Sequence, residues 1–256
     1  MEEHLLNGTF HPKNGLPSVA LFTLHKAGST FLSERLASLC TEKKFLVADF
    51  EHYMIRKGLL YENAFAEESV CRLVFSVKGV FHKAIRIPVN PDWLGGTKVL
   101  LVTRDPRDIA TSFYFSLKHS HVIYNESGRK ERRRLESTSI DQFILESTYF
   151  ESAVLNLEKY RPFFSLGDRF LHVSYETVVT RPEFACAQIT SFLGFSPRRG
   201  KLFSANDFMV SREDVMSHRR QILPGDHARK LSPETIRCCN ERIRPLASFY
   251  GWQNVD

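Results

Sequence analysis

The chain has 256 residues, of which 43% are hydrophobic and 25% are charged, with 21 Phe, 13 Gly and 11 Pro. This is the composition of an ordinary globular protein, and it excludes a disordered, collagen-like or low-complexity chain. Lys and Arg total 35 against 29 Asp and Glu, and the net charge of +6 favours an anionic partner without naming one.

The cysteines and the N-terminal residues indicate the cellular compartment in which the protein is expected. The five cysteines show neither a CxxC pair nor a Cys/His spacing, so we expect no disulfide framework and no zinc site, and a reducing compartment fits best. Residues 1–13 lack the basic-then-apolar layout of a signal peptide, and no run approaches 18 apolar residues. The sequence therefore predicts a soluble, cytoplasmic protein.

Apolar runs at residues 18–24 and 98–103 lack strict alternation and predict strands that are covered on both faces, as in a parallel sheet. A helical pattern follows each run. The alternation predicts an α/β fold of three layers, in which helices flank a central, mostly parallel sheet, within one domain over residues 1–256 that has an N-terminal extension over residues 1–17. Further strands are predicted at residues 73–77 and 170–174, helices at residues 109–117, 140–160, 183–193 and 233–250, and a long mobile loop at residues 118–139.

The turn after the first strand, TLHKAGSTF over residues 23–31, combines a lysine, a glycine and two hydroxyl residues. A helix that begins near Ser29 or Thr30 leaves its first N–H groups unpaired and points its positive dipole end at the turn, where a phosphate can bind. Lys26 would add a full charge, and Gly28 would let the backbone approach the anion. The plainer alternative is a capped helix start with an exposed lysine. A Walker A loop is disfavoured, because Lys26 precedes Gly28 by two positions instead of following a glycine.

A second turn, TRDPRDIATS over residues 103–112, follows the strand at residues 98–103. Asp105 is placed as a helix N-cap, and the proline after it suits the first helical position. Arg104 then lies at the carboxyl end of a strand, where α/β sheets bind ligands. Ser112 lies on the same helical stripe as Asp105, with its side chain tilted back toward the N-terminus, so that Arg104 and Ser112 can reach one anion.

Both turns resemble cofactor-binding elements of the sulfotransferases. Residues 23–31 are similar to the family's loop for the 5′-phosphosulfate, with His25 in place of a proline, and residues 103–112 are similar to the element that binds the 3′-phosphate. The resemblance implies the P-loop-like sulfotransferase fold and the cofactor 3′-phosphoadenosine 5′-phosphosulfate (PAPS), with adenosine 3′,5′-bisphosphate (PAP) as its product. Three further stretches extend the resemblance: residues 173–176 (VSYE), 192–195 (FLGF) and 219–226 (RRQILPGD), the last followed by His227 where the family has tryptophan.

The resemblance also implies roles for individual residues. Lys26 would neutralise charge on the leaving phosphate, and Arg104 with Ser112 would bind the 3′-phosphate. Arg220 is the first choice for a further contact with that phosphate and Arg219 the second. No metal is implied, because the lysine and the helix dipole supply the positive field. The candidate cofactor-binding residues are Lys26, Ala27, Gly28, Ser29, Thr30, Phe31, Arg104, Ser112, Tyr175, Phe208, Arg219 and Arg220.

An acceptor hydroxyl also needs a general base, and histidine suits that role near neutral pH. Small-molecule sulfotransferases carry this base in a K-T-H motif, and residues 77–82 (VKGVFH) occupy its place with the motif broken at Val80. His82, two positions further on, is the candidate base, and Lys78 is a candidate contact of the transferring sulfuryl group. Because other families of the same fold use a glutamate, three carboxylates compete for the role of base: Glu34, Asp49 and Glu51.

The predicted function is transfer of a sulfuryl group from PAPS to a hydroxyl or amine of a small-molecule acceptor, with no nucleic-acid or membrane partner. The oligomeric state stays open. Two alternatives are a P-loop-like kinase, disfavoured by the missing Walker A spacing, and a polyanion-binding module that uses the basic residues 129–134, which are more typical of solvated surface. Phenylalanines that could line an acceptor pocket, or simply fill the core, are Phe113, Phe115, Phe143, Phe150, Phe163, Phe164, Phe203 and Phe208.

Overall fold

A computed structural model describes residues 1–10, 15–123, 125–195, 202–209, 213–217 and 220–252. Its strands are β1 (Val19–Thr23), β2 (Leu46–Ala48), β3 (Val80–Ile85), β4 (Lys98–Thr103) and β5 (Phe170–Ser174). They form one sheet in the order β2-β3-β1-β4-β5, and each neighbouring pair is parallel. The carboxyl ends of all five strands therefore lie at the same edge of the sheet.

Helices precede, connect and follow these strands. None of the helices in the described part of the chain is both long and apolar enough to cross a bilayer. Their bounds are α1 (Glu2–Leu6), α2 (Ser29–Glu42), α3 (Phe50–Arg56), α4 (Glu68–Ser76), α5 (Pro106–Phe115), α6 (Glu126–Ser137), α7 (Ile140–Glu146), α8 (Thr148–Tyr160), α9 (Tyr175–Thr180), α10 (Pro182–Leu193), α11 (Asp226–Lys230) and α12 (Pro233–Tyr250).

Alternate residues of the strands enter two hydrophobic cores, one on each face of the sheet. Ala20 and Phe22 of β1 belong to the core that α4, α5, α8 and α12 cover. Val19 and Leu21 belong to the core that α2 and α10 cover. Because side chains alternate across a strand, an unbroken apolar run serves both faces, and the predicted three-layer α/β fold with a parallel sheet is confirmed.

The connections after β1 and β4 leave the sheet in opposite directions. The first leads to α2 in one core, and the second leads to α5 in the other. β1 and β4 are neighbours, with Val19 opposite Lys98 and Thr23 opposite Val102. A crevice therefore opens between the two connections at the carboxyl edge, which is the usual place for a ligand in such sheets.

Most predicted elements are confirmed, and two are wrong. The apolar residues at 73–77 fall largely within α4, whose Cys71, Val74 and Phe75 are buried at helical spacing. The predicted loop at residues 118–139 contains α6, in which Asn125 caps the first turn by accepting a hydrogen bond from Gly128 N at 2.9 Å. The helix expected at residues 140–160 is two helices, α7 and α8, and the division into one domain with an N-terminal extension stays a prediction.

Candidate active site

A cavity of about 560 Å³ occupies the crevice at the carboxyl edge of β1 and β4. It brings together residues from the turn before α2, from the end of β4, from the second half of α5, from α9 and from the segment before α11. The predicted residues that line it are Lys26, Gly28, Ser29, Thr30, Phe31, Arg104, Ser112, Tyr175, Phe208 and Arg220.

The turn between β1 and α2 is held in a conformation that opens the helix start toward the cavity. Lys26 and Gly28 both have positive φ angles, of 60° and 74°. Gly28 is the N-cap of α2 and places no side chain over the first amides. A Cβ at this position would lie 3.1 Å from Cε2 and 3.2 Å from Cδ2 of Tyr175, so glycine also permits the close approach of that ring. The first N–H groups of a 14-residue helix thus face the cavity.

Lys26 carries its ammonium group into this space. Its Nζ donates to Ser116 Oγ at 2.7 Å and lies 5.3 Å from the ring centroid of Phe113. Burial, together with the positive charges of Arg104 and Arg86, lowers the pKa of Lys26 from 10.5 to about 8. The turn therefore concentrates positive charge that an anion would stabilise.

Arg104 ends β4 on the other side of the crevice and is 4% exposed. Its Nη1 donates to Lys26 O at 2.7 Å, and its guanidinium lies 4.4 Å from the ring centroid of Tyr175. Asp108 Oδ2 is 3.9 Å from Nη2, while Nε is buried and has no hydrogen-bond partner among the described residues. A buried cationic donor without an acceptor is costly, so this group fits an anion in the cavity.

The segment before α11 covers the cavity and is fastened to it at both ends. Tyr175 Oη donates to Ile222 O at 2.8 Å. Asp108 accepts from Gly225 N at 2.7 Å, from His227 N at 2.9 Å and from His227 Nδ1 at 2.7 Å. Burial alone would raise the pKa of Asp108, but the hydrogen bonds of His227 and the charge of Arg104 hold it well below its usual range.

Arg220 lies within that segment and is 8% exposed. It forms ion pairs with Glu213 and Asp226, and its guanidinium lies 4.1 Å from the ring centroid of Phe115. The carboxylates compensate the charge, and the ring fixes the plane of the guanidinium. Arg220 is thereby held at the wall of the cavity, which Arg104 also lines.

A smaller cleft of about 220 Å³ adjoins the cavity, and the two share Thr30, Glu51 and Arg86 in their walls. Its lining is strongly charged. Lys83 Nζ lies 2.6 Å from Glu34 Oε1 and 2.8 Å from Asp49 Oδ2, so that one lysine compensates two carboxylates.

Sequence comparison places the chain in a family. The family model for the sulfotransferase domain matches residues 16–220. The chain belongs to the sulfotransferase family. A search of curated proteins finds no match to the sequence of this sulfotransferase.

Solved structures support the fold of this sulfotransferase. Mouse sulfotransferase SULT7A1 complexed with PAP has a TM-score of 0.53 and 14% identity, covering 96% of this chain and 88% of its own. Retinol dehydratase in a complex with retinol and PAP has a TM-score of 0.53 and 15% identity, covering 95% and 84%. The sulfotransferase domain from the curacin biosynthetic pathway has a TM-score of 0.50 and 14% identity, covering 94% and 99%. At 14–15% identity, the similarity to these structures shows a shared fold and nothing more.

The structure does not place His82 in the active site. This residue lies within β3 and is 0% exposed, with its ring 6.0 Å from that of Phe50 and 5.2 Å from that of Phe75. Burial lowers the pKa of His82 to about 3, and neither ring nitrogen has a hydrogen-bond partner among the described residues. A histidine in this environment cannot reach an acceptor in the cavity, so the prediction of His82 as the base is corrected.

Two other predicted residues are absent from the described lining of the cavity, and a third cannot be placed. Lys78 is exposed and precedes β3, at the amino edge of the sheet and opposite the cavity, so its predicted contact with the sulfuryl group is wrong. The side chain of Ala27 is buried in the core, and its amide donates to Leu24 O at 3.4 Å. Arg219 lies outside the described residues.

The basic residues 129–134 are largely engaged within their own helix. Glu126 pairs with Arg129 and Arg133, at 2.8 Å in each case, and Glu131 pairs with Arg134 at 2.9 Å. These pairs are largely exposed, and the described residues that line the cavity do not include them, as expected for a solvated helix face.

Arg86 and Glu51 lie where the cavity and the cleft meet. From the sequence, Glu51 is predicted only as an alternative base, and Arg86 has no predicted role. Arg86 directly follows β3, and an arginine at the carboxyl end of a parallel strand is a recognisable signal. The sequence does not reveal that Arg86 follows a strand, because the strand is predicted at residues 73–77, whereas β3 is Val80–Ile85.

Proposed function

We propose that this sulfotransferase transfers a sulfuryl group from PAPS to a hydroxyl or amine of a small-molecule acceptor and releases PAP. The observation that carries the proposal is that one cavity brings together two groups of residues that suit anions. Lys26 and the start of α2 form one group, and Arg104, Ser112 and Arg220 form the other. A nucleotide with phosphates at both ends matches this pair, and the solved neighbours crystallised with PAP support it.

The residues of the cavity fit such a nucleotide. The side chain of Arg104 lines the cavity with an Nε that has no acceptor among the described residues, and Ser112 provides a hydroxyl in the same lining. Phe31 and Phe208 lie with their ring centroids 5.3 Å apart in the same wall, a surface suited to a nucleobase. We assign the 3′-phosphate to Arg104, Ser112 and Arg220, and the 5′-end to Lys26 and the first amides of α2.

Charge compensation is the main task of these residues. When bound, the donor supplies the sulfuryl group and is converted to PAP. Lys26 Nζ and the α2 amides hold positive charge where the leaving phosphate gains negative charge, which is the stabilisation that transfer of this kind requires. Ser116 accepts a hydrogen bond from Lys26 and keeps the ammonium oriented.

Glu51 is the proposed base that takes the proton of the acceptor. Of the three carboxylates predicted as alternatives, only Glu51 lines both the cavity and the adjoining cleft among the described residues. Glu34 is 65% exposed and Asp49 accepts from His52 N at 3.0 Å as the cap of α3, while both pair with Lys83. An acceptor that enters through the cleft would therefore meet Glu51 where the cleft joins the cavity that Lys26 lines.

Calorimetry with PAP and ADP tests the nucleotide assignment. We expect PAP to bind more tightly than ADP, and Arg104→Ala to weaken PAP binding about 10- to 100-fold, the usual loss for a charge-assisted hydrogen bond. Arg129→Ala, which removes an exposed arginine of α6, is the control and should leave the affinity unchanged. Equal binding of the two nucleotides, or an unaffected Arg104→Ala variant, would contradict the proposal.

An acceptor screen completes the test. Phenols, alcohols, amines and sugars are each incubated with the enzyme and PAPS, and PAP release above the rate in water marks an acceptor. Magnesium-dependent phosphoryl transfer from ATP, without PAP release from PAPS, would instead support the kinase alternative. A cytoplasmic location, expected from the five free cysteines, stays a prediction.

A further inference from the structure

Arg86 joins the turn before α2 to the proposed base. Its Nη2 donates to Ser29 Oγ at 2.9 Å and its Nε to the same oxygen at 3.3 Å, while Nη1 pairs with a carboxylate oxygen of Glu51. Ser29 is the first residue of α2, and Glu51 lies in the first turn of α3. One guanidinium therefore links two helices whose starts face the cavity from different parts of the chain.

The position of Arg86 is fixed by its surroundings. The side chain of Arg86 is only 9% exposed, whereas that of Glu51, its partner in the ion pair, is 37% exposed. The backbone N of Arg86 donates to Tyr61 Oη at 3.3 Å, and the same hydroxyl donates to Ala84 O at 3.4 Å. The end of β3 is thus tied down on the main chain, and the guanidinium has little freedom to leave the junction of the two cavities.

The chemistry of the side chain suits this linking role. A guanidinium is planar, stays charged throughout the working pH range and presents donors in two directions, whereas a lysine ammonium is a compact point charge. The hydroxyl and the carboxylate are contacted by different nitrogens of Arg86. A lysine at this position would keep the charge but could not hold both partners in one geometry.

We propose that Arg86 is a positioning residue, which holds the Glu51 carboxylate against the turn that binds the donor so that the base faces the acceptor at the point of transfer. This inference rests on the proposed function of the cavity. Without the link, Glu51 is an exposed side chain with free rotation about its bonds, and a base must be oriented to within hydrogen-bond reach to be effective.

A double-mutant cycle with Arg86→Lys and Glu51→Gln tests the proposal. The readouts are the kcat for PAP release from PAPS, with the fastest acceptor of the panel and with water alone, and the affinity for PAP by calorimetry. Arg72→Lys with Glu68→Gln is the matched control cycle, because this exposed pair, 2.6 Å apart on α4, has the same chemistry outside the cavity. Thermal unfolding of each variant monitors the fold.

We expect Arg86→Lys to lower kcat about 10- to 100-fold, within the range that a general base contributes, while PAP affinity stays within about threefold of the wild type. In the Glu51→Gln background the same substitution should change kcat by less than about threefold, because residues that act as a unit are non-additive. The control cycle should leave kcat unchanged.

Three outcomes would overturn the inference: wild-type kcat in Arg86→Lys, full additivity of the two substitutions, or a loss of PAP affinity as large as the loss of kcat. If Arg86→Lys does not fold, wild-type kcat in Glu51→Gln would overturn it alone. The proposed function is judged separately, by the binding of PAP compared with ADP and by the release of PAP from PAPS, both measured on the wild-type enzyme.

Discussion

Raising the pH should lower the activity of the enzyme, because Lys26 loses its proton. Burial, Arg104 and Arg86 lower the pKa of this lysine to about 8, and only its charged form can neutralise a phosphate. The charged fraction is about 90% at pH 7 and about 10% at pH 9, since each pH unit changes the protonation ratio tenfold. We therefore expect kcat/KM for PAPS to fall about tenfold between these values.

The assay is kcat/KM for PAPS from pH 6.5 to 9.5 at constant ionic strength, because this parameter reports the ionisation of the free enzyme. Lys26→Arg is the control, since its guanidinium stays charged and should remove the alkaline decline. The titration of Lys26 does not itself favour unfolding over this range. Between pH 8 and 10.5 this lysine is neutral when folded and charged when unfolded, so it adds stability as the pH rises.

A flat wild-type profile up to pH 9.5 would refute the electrostatic reasoning, because a lysine with an ordinary pKa of 10.5 stays charged over this range. The same decline in Lys26→Arg would assign it to another group. Turnover at the wild-type rate in Lys26→Ala would remove the proposed role altogether.

Three further substitutions test other parts of the site. Gly28→Ala places a Cβ 3.1 Å from the Tyr175 ring at a φ of 74°, which costs about 1–2 kcal/mol. The variant should bind PAP more weakly in calorimetry. Unchanged affinity would contradict the close approach of the Tyr175 ring to this turn. Asp108→Asn removes a buried charge that accepts three hydrogen bonds from Gly225 and His227, and urea unfolding should show a loss of about 2 kcal/mol; an unchanged midpoint would argue against the fastening. His82→Leu should keep wild-type kcat, and a loss of turnover with an intact fold would restore His82 as a base. His82 protonates near pH 6.5 in the unfolded chain but only near pH 3 in the folded protein. The free energy of unfolding of the wild type should therefore fall by up to about 3 kcal/mol between pH 6.5 and pH 4. Urea unfolding at these two pH values should show a correspondingly smaller fall for His82→Leu.

The parts of the site that the sequence predicts are those with local signals. The turn at residues 23–31 is marked by Gly28, and the helix start after Arg104 is marked by the cap Asp105 and the proline after it. Such signals depend on the backbone geometry of near neighbours, so they can be recognised without knowing the rest of the chain. The residues predicted from these two segments, Lys26, Arg104 and Ser112, line one cavity in the structure.

The base could not be predicted in the same way, because its position depends on strand register. An apolar run such as residues 73–77 suits a buried helix as well as a strand, and periodicity alone does not separate them. Shifting β3 to Val80–Ile85 turns His82 into the core and brings Arg86 to the carboxyl edge. The link from Arg86 to Glu51 spans 35 residues and has no local pattern.

Four Lys and Arg residues in the described part of the chain line the cavity, and they differ in how their charge is offset. Arg86 pairs with Glu51, Arg104 has Asp108 at 3.9 Å, and Arg220 pairs with two carboxylates. Lys26 has no carboxylate partner among the described residues. An arginine keeps its proton at any working pH and therefore needs a counter-charge in the free protein, whereas a lysine can give up its proton.

Lys26 is accordingly the group at which binding and protonation are coupled. An anion bound beside it favours the charged form, so nucleotide binding above pH 8 must draw a proton onto this lysine. Calorimetry of PAP binding at pH 8.5, in buffers with different ionisation enthalpies, should show net proton uptake that disappears in Lys26→Arg. Uptake that persists in Lys26→Arg would place the coupled proton on another group, and no uptake in the wild type would mean that Lys26 is already charged before the nucleotide arrives.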